Sequence, residues 1–347
     1  MRNTLGWAAH HQGAPLQPWN FQRRGLRDDD VAVRIDYSGI CSSDLSAIAN
    51  CDDSPLVPGH EMTGTVTEAG SAVTTFAPGD SVAIGNIVDS CGACTACRAG
   101  RENWCAQFPT LTYGGRDRHD HSLTQGGFSS EYVVSQRFLH HLPDTLDPAA
   151  AAPLMCAGIT TYVPLRRWGA GPGKTVGVVG MGGLGHIALK LSHAMGATTV
   201  QFTRSAGKAA EARPLGADDV VITSQPGALA DQTGRFDVIL DTVSGPHDLD
   251  PYLQALAIDG TLVVLGIPEE NFTVSPLSLI VGAKNLAGAG SGGTRETRDM
   301  LDFCARHHIT AEIETVLPDR VNEALDRLRR NDVRYRFILD MTASQAG

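Results

Sequence analysis

No stretch of this chain approaches the roughly 20 consecutive apolar residues that span a bilayer, and the amino-terminal MRNTLGWAAHHQGAP lacks the continuous apolar run of a secretory signal. A membrane-embedded or exported protein is therefore not expected, and a cytoplasmic one is. Basic residues are in deficit as well: 28 Lys and Arg stand against 38 Asp and Glu, for a formal net charge of -10. With no basic stripe to offset that balance, neither nucleic acid nor an anionic membrane surface is expected as a partner. Internal repeats and low-complexity tracts are also absent, so nothing suggests a repeat architecture.

What is present fits an ordinary globular protein, 347 residues long, 42% hydrophobic and 19% charged. That length calls for about two domains, each able to bury its own core. The first 150 or so residues read as short strands broken by Gly and Pro, among them VAVRIDYSGI, GTVTEAG, GDSVAI and FSSEYVVSQ. From Lys174 the pattern changes. TVGVVG reads as a buried strand, GGLGHIALKLSHAMGA has helical spacing and TTVQFT is a strand again, which makes one βαβ unit. DDVVIT, FDVILDTV and GTLVVLGIP continue the alternation, each expected to follow a helix, so a doubly wound parallel sheet is predicted over about 157–290. The last segment, with two amphipathic helices in RETRDMLDFCARHHI and DRVNEALDRLRR and a strand in YRFILDM, is expected to return to the first domain. Arg327, Arg329 and Arg330 read as the solvated face of a helix.

Four of the eight cysteines, Cys91, Cys94, Cys97 and Cys105, fall in CGACTACRAGRENWC. Two-residue gaps let a backbone curl so that four thiolates sit about 2.3 Å from one Zn²⁺, and Gly92 and Gly100 ease the curl. Four sulfurs leave no open position, so such a site is structural rather than catalytic. Two disulfides or a redox pair could use the same residues, but a reducing compartment favours zinc.

Gly180-Met181-Gly182-Gly183-Leu184-Gly185 leaves a predicted strand and opens a predicted helix. There the absent side chains admit a dinucleotide pyrophosphate to the free N–H groups and partial positive charge of a helix start. NAD sites place a carboxylate roughly 20 residues on, at the end of the second strand. No acidic residue occurs between Gly180 and Glu211; Thr203, Arg204 and Ser205 stand at the strand end, with Lys208 beyond. A guanidinium, hydroxyls and an ammonium suit a 2'-phosphate, so NADP(H) is predicted over NAD(H).

Cys41 in Cys41-Ser42-Ser43-Asp44, His60 in Gly59-His60-Glu61, and the distant Cys156 could supply two sulfurs and one imidazole. That set would leave a fourth zinc position open, as a catalytic metal needs. Taken singly, a buried cysteine is more often a small apolar residue and a histidine more often a satisfied loop residue.

Together, GICSSD, VPGHE, the four-cysteine lobe, GMGGLG, PLMCAGITTY and DVRYRFILD resemble the zinc-dependent medium-chain dehydrogenase/reductase superfamily, specifically its cinnamyl alcohol dehydrogenase branch of NADP-dependent aldehyde reductases. The resemblance spans nearly the whole chain. It implies an α/β protein: a GroES-like β-rich catalytic domain over 1–156 with a structural zinc lobe near 89–106, a Rossmann doubly wound nucleotide domain over 157–290, and a return to the catalytic domain over 291–347. It further implies a zinc- and nicotinamide-holding cleft, two Zn²⁺ per subunit and a homodimer. Cys41, His60 and Cys156 then stand as catalytic zinc ligands, Glu61 as the carboxylate behind the metal, and Asp44 as the acid that receives the ligating histidine's N–H. Ser43 stands as the hydroxyl that starts a proton relay. Thr160, Val243 and Ser291 join the glycine-rich turn as cofactor contacts and Ile87 stands as a pocket residue, though neither it nor the aromatics Trp104 and Phe108 fix the substrate. In the implied reaction, hydride passes between NADP(H) and an alcohol/aldehyde pair, with the oxygen polarised at the metal.

The chain also departs from the family pattern, which usually carries histidines where Ser42 and Ser46 stand. The relay's customary end is therefore missing, with His119 and His121 as substitutes or as plain surface residues. Those serines motivate a rival reading, reduction of activated C=C or C=N bonds. A noncatalytic NADPH-binding protein is a further rival, but it would be expected to have lost metal ligands that are intact here. Michaelis constants measured with both reduced coenzymes should show a clear preference for NADPH; a preference for NADH would refute the reading of Arg204 and Lys208.

Overall fold

The structure is a computed structural model that describes residues 1–52 and 54–345. The chain divides into two compact units, Met1–Cys156 with Gly292–Gly347, and Ala157–Ser291.

The first unit is built around strand Asp30–Ile40. Its sequence, DVAVRIDYSGI, is rich in β-branched residues that suit a pleated, buried surface, and Val31, Val33 and Ile35 are fully buried. It pairs antiparallel with Met62–Ala69, Glu131–Ser135 and Arg336–Asp340. The sheet runs Ile313–Val316, Arg336–Asp340, Asp30–Ile40, Met62–Ala69, Ser81–Ile84, Leu139–His141. Because Ser38 lies opposite Met62, and Gly39 N–H donates to the Glu61 carbonyl at 2.8 Å, the end of one strand and the start of its neighbour lie side by side. That register carries Cys41 and His60 to one place. Strand Arg2–Ala8 forms a hairpin with Gln17–Arg23.

Arg23, at the end of that hairpin, is a buried cation with no carboxylate paired to it among the described residues. Its Nε, Nη1 and Nη2 donate to the carbonyls of Glu131, Gln125 and Gly126, each at 2.7 Å, and Nη2 also donates to Ser129 Oγ at 2.8 Å. The guanidinium lies 4.5 Å from the Tyr132 ring centroid and 4.9 Å from that of Phe21. Burial pulls its pKa down to about 10, which leaves it charged at neutral pH. The segment it gathers pairs with the chain just before His60: Gly126, Gly127 and Phe128 donate to the carbonyls of Val57, Gly59 and Pro58. Gly59 adopts φ +100°, and a Cβ there would come within 2.6 Å of the Phe128 ring. Arg23 thus helps set the approach of His60 without touching it.

The second unit is a six-stranded parallel sheet in the order Asp219–Ile222, Thr198–Thr203, Thr175–Val179, Phe236–Asp241, Leu256–Val264, Asn285–Gly288. The chain moves outward in one direction for three strands, then returns to the centre and moves outward in the other. The crevice at that reversal lies beyond the carboxyl ends of Thr175–Val179 and its neighbours, where such sheets bind ligands. One expected helix is absent: between Ile222 and Phe236 the described backbone makes only the 3₁₀ turn Ala230–Gln232. Pro226, Gly227 and Gly234 leave too few helix-forming residues, and both glycines take positive φ, +81° and +74°.

After Gly292 the chain is back in the first unit, with helices Thr294–His307 and Val321–Arg329 laying Met300, Leu301 and Cys304, and Val321, Ala324 and Leu325, into buried positions. Arg327 is not simply part of a solvated face. It bonds Glu314 at 2.8 Å and stands 4.7 Å over the Phe337 ring, tying the helix to two strands. Arg23→Met should leave three buried carbonyls short of a donor and cost about 3 kcal/mol or more, read as a lower urea midpoint at unchanged m-value.

Candidate active site and metal centres

Asp44 organises the candidate metal centre. It is completely buried at the third position of helix Ser42–Ala49. One carboxylate oxygen accepts the Cys41 N–H at 2.8 Å, while the other accepts the Gly59 N–H at 3.0 Å and faces His60 Nδ1 at 3.3 Å. The first of these bonds is half of a helix-capping arrangement, so Asp44 is a cap and a histidine partner at once. With Nδ1–H given to Asp44, His60 keeps its Nε2 lone pair for a cation.

Cys156, at the end of the 3₁₀ turn Ala152–Met155, brings the second sulfur, and ligand atoms of Cys41, His60, Glu61 and Cys156 all lie within 4.8 Å of one another. Glu61 is fully buried; its Oε1 accepts from Arg336 Nη2 at 2.7 Å, and its Oε2 has no hydrogen-bond partner among the described residues. A Cβ on Gly39 would collide with that carboxylate, which gives the glycine of GICSSD a steric reason. A hydrogen bond from the Cys156 thiol, with help from Arg336 and His60, pulls the Cys41 thiol well down against its burial, while Cys156 moves up. Burial pushes Glu61 up to about 7, against the pull of Arg336. Burial opposes the His60 cation, but Asp44 and Cys41 outweigh it and raise its pKa. Two sulfurs, an imidazole and a carboxylate oxygen without a partner, converging in a buried space, form a donor set that fits Zn²⁺.

The four-cysteine lobe fits a closed zinc site. Cys91 and Cys97 sulfurs are 3.8 Å apart and those of Cys94 and Cys97 3.4 Å, with all four within 4.8 Å. A tetrahedron with 2.3 Å arms has edges of about 3.8 Å. Backbone N–H groups of Ala106 and Cys97 aim at Cys94 and pull its thiol down to about 6. Gly92 and Gly100 make the curl at φ +67° and +70°. All eight cysteines are free of disulfides.

In the other unit, the turn after strand Thr175–Val179 places Gly180 at φ +88°, and a Cβ on Gly185 would strike the Gly180 carbonyl, so helix and strand pack in direct contact. A Cβ on Gly182 would meet nothing within 4 Å, which leaves open space over the turn for a pyrophosphate. Gly183 and Leu184 complete the turn into helix Gly185–Ala194. At the end of the next strand Thr203 Oγ1 accepts the Ser205 N–H at 3.2 Å, and Lys208 Nζ donates to the Met181 carbonyl at 3.3 Å, joining that cation to the glycine-rich turn. Arg204 is exposed and makes no ion pair among the described residues. Thr160 Oγ1 accepts the Ser291 N–H at 3.2 Å, bringing those two candidates together, and Val243 lies beside Gly180.

Residues 27–144 match the alcohol dehydrogenase GroES-like domain family and residues 183–306 the zinc-binding dehydrogenase family. A probable formaldehyde dehydrogenase AdhA of Bacillus subtilis is 47% identical, covering 96% of each chain. An NADP-dependent alcohol dehydrogenase C of Mycolicibacterium smegmatis is 45% identical over 99% of each. A cinnamyl alcohol dehydrogenase structure from Sorghum bicolor superposes with a TM-score of 0.95 at 42% identity, covering 98% of each chain. The chain belongs to the zinc-dependent alcohol dehydrogenase family, in its cinnamyl alcohol dehydrogenase-like branch.

Several features of this alcohol dehydrogenase escaped the sequence reading. Arg336 lay inside the quoted DVRYRFILD, yet its pairing with a glutamate 275 residues earlier had no local signal. Tyr113 sets its ring against His60, with centroids 5.7 Å apart. Glu102, within the cysteine lobe, accepts the Thr294 N–H at 2.9 Å and so caps helix Thr294–His307. Ile87 is half-buried against the first unit's core, whereas Trp104 and Phe108 are 51% and 69% exposed. His119 and His121 are exposed, as are Ser42 and Ser46, the latter bonded back to the Ser42 carbonyl. Asp44→Asn should weaken zinc retention by about 10- to 100-fold at the Cys41–His60–Cys156 set alone, measured as loss of one of two zinc equivalents to a chelator.

Proposed function

We propose that this zinc-dependent alcohol dehydrogenase works with NADP(H) in the aldehyde-reducing direction, on aromatic or medium-chain aliphatic aldehydes, as a cytoplasmic homodimer. The observation that carries the reading is the convergence of Cys41, His60 and Cys156 on one buried point, with Asp44 behind the histidine. These three would hold the catalytic zinc, and Cys91, Cys94, Cys97 and Cys105 the structural one. When bound, zinc supplies a Lewis acid for the substrate oxygen and NADPH supplies the hydride.

The chain's own residues account for position and protons. Asp44 keeps the His60 proton on Nδ1 and orients the ring. Ser43 Oγ lies 3.7 Å from Cys41 Sγ and is exposed, so it can hand a proton to the product oxygen and recover one directly from solvent. That short path makes histidines at positions 42 and 46 dispensable. Glu61, held by Arg336, offers a carboxylate oxygen from behind the ligands. The guanidinium of Arg204, the hydroxyls of Thr203 and Ser205 and the Lys208 ammonium suit a 2'-phosphate, and Thr160, Val243 and Ser291 suit the nicotinamide half.

For the dimer, the support is an apolar sheet edge. Strand Asn285–Gly288 is the outermost of the parallel sheet, and Leu277, Ile280 and Val281 near it are 66%, 70% and 66% exposed, with Leu286 at 40%. No single described helix is long and apolar enough to cross a membrane. With cinnamaldehyde and NADPH the expected product is the allylic alcohol, and Ser43→Ala should lower kcat by about 10²-fold or more while zinc content and NADPH binding hold. Saturated aldehyde as the product would instead support C=C reduction.

A further inference from the structure

Asp241 and His247 lie in the nucleotide unit outside the roles assigned above. Asp241 ends strand Phe236–Asp241 and is fully buried. Its Oδ1 accepts the Val243 N–H at 3.1 Å, and its Oδ2 lies 3.0 Å from His247 Nε2. The other ring nitrogen, Nδ1, lies 2.9 Å from the Gly245 carbonyl oxygen. Both nitrogens therefore face acceptors. A neutral imidazole has one N–H and would set a lone pair against one of the two oxygens, whereas an imidazolium donates to both. Tyr252 and Phe272 present ring edges to the imidazole, at 6.1 and 5.5 Å between centroids, and its side chain is 17% exposed.

Asp241 and His247 bracket the segment that touches the glycine-rich turn. Thr242 Oγ1 donates to the Val179 carbonyl at 2.7 Å. A Cβ on Gly180 would come within 2.8 Å of Thr242 Oγ1 and 3.0 Å of Val243 Cγ2, so segment and turn are in contact with no slack. On the other side, a Cβ on Gly266 would collide with the Val243 carbonyl. A small shift of this segment must therefore move the turn or be resisted by it.

We propose that His247, held as an imidazolium between the Asp241 carboxylate and the Gly245 carbonyl, is a positioning residue that clamps segment 242–247 against the glycine-rich turn and makes dinucleotide affinity depend on its charge. This rests on the reading that the dinucleotide lies over Gly180–Gly185. The charged or titratable groups facing the imidazole are Asp241, Asp248 and, from helix Asp250–Ala255, Tyr252; Phe272 is neutral. The hydrogen bond His247 donates to Asp241 raises its pKa above the ordinary value, against partial burial, and Gly245 and Asp248 add to the rise. A raised pKa means that the clamp is complete at lower pH and is lost as pH climbs through it. The 2'-phosphate titrates about a midpoint near pH 6 and is largely dianionic above about pH 7, so a change between about pH 7 and 9 reports chiefly the protein.

The test is NADPH binding to the zinc-loaded full chain, followed by nicotinamide fluorescence without substrate. Wild-type affinity should fall about tenfold between about pH 7 and 9, the loss expected of one charge-assisted hydrogen bond. His247→Gln and Asp241→Asn should bind more weakly at pH 7 by a similar factor and show a flat profile. Variants that keep both wild-type affinity and wild-type slope overturn the clamp while leaving the nucleotide site standing. A flat wild-type profile overturns it whatever the variants do, and a chain that binds no NADPH at any pH overturns the clamp and the site together.

Discussion

A single buried carboxylate, that of Asp44, ties together the candidate metal centre. It sits between two backbone segments that strand pairing already brings side by side, the end of strand Asp30–Ile40 and the turn before strand Met62–Ala69, and it accepts from both. A buried carboxylate is costly unless its lone pairs are taken, and here they are taken by the backbone of a sulfur ligand, the backbone before the histidine, and the histidine ring itself. The same interactions that satisfy the charge fix the metal site. Tyr113 packs its ring against that histidine from a loop.

A second layer of buried charge stands behind the first. Arg336 and Glu61 are both almost fully buried and paired at 2.7 Å, and Arg23 is buried on three carbonyls. Neither arrangement stabilises more than a well-packed apolar core would, since desolvation offsets most of the Coulomb gain. What they provide is direction. Glu61 is aimed from behind at the ligand set, and the segment at 125–131 is held so that Gly59, at positive φ, can deliver His60. The apolar core around them is mostly Val, Ile, Leu and Phe.

Much of this protein was legible before any coordinate. The parallel sheet announced itself through short apolar runs alternating with helical segments, because strands buried on both faces read as continuous apolar runs. The cysteine lobe and glycine-rich turn were legible because metal and phosphate geometry impose residue types at fixed short spacings. What was not legible was whatever depends on long separations. Glu61 to Arg336 and Glu102 to Thr294 are pairings across 275 and 192 residues, and no local pattern encodes a register of that span. The helix expected before Phe236 failed for a local reason, the helix-breaking residues Pro226, Gly227 and Gly234, which deserved more weight than the alternation around them.

By itself the sequence determined the chemical inventory: which side chains can bind a soft cation, where backbone can approach a phosphate, and which coenzyme charge would be welcome beside Arg204 and Lys208. Only the tertiary structure decided which members of that inventory meet. Cys41, His60 and Cys156 are unremarkable singly and become a donor set when antiparallel register and the turn Ala152–Met155 bring them within 4.8 Å. His247 reads as a loop histidine until both ring nitrogens are seen against oxygen. The physical reason is the same in each case: ligand chemistry belongs to side chains and is written locally, whereas convergence belongs to the packed backbone, and the core that fixes it draws on the entire chain.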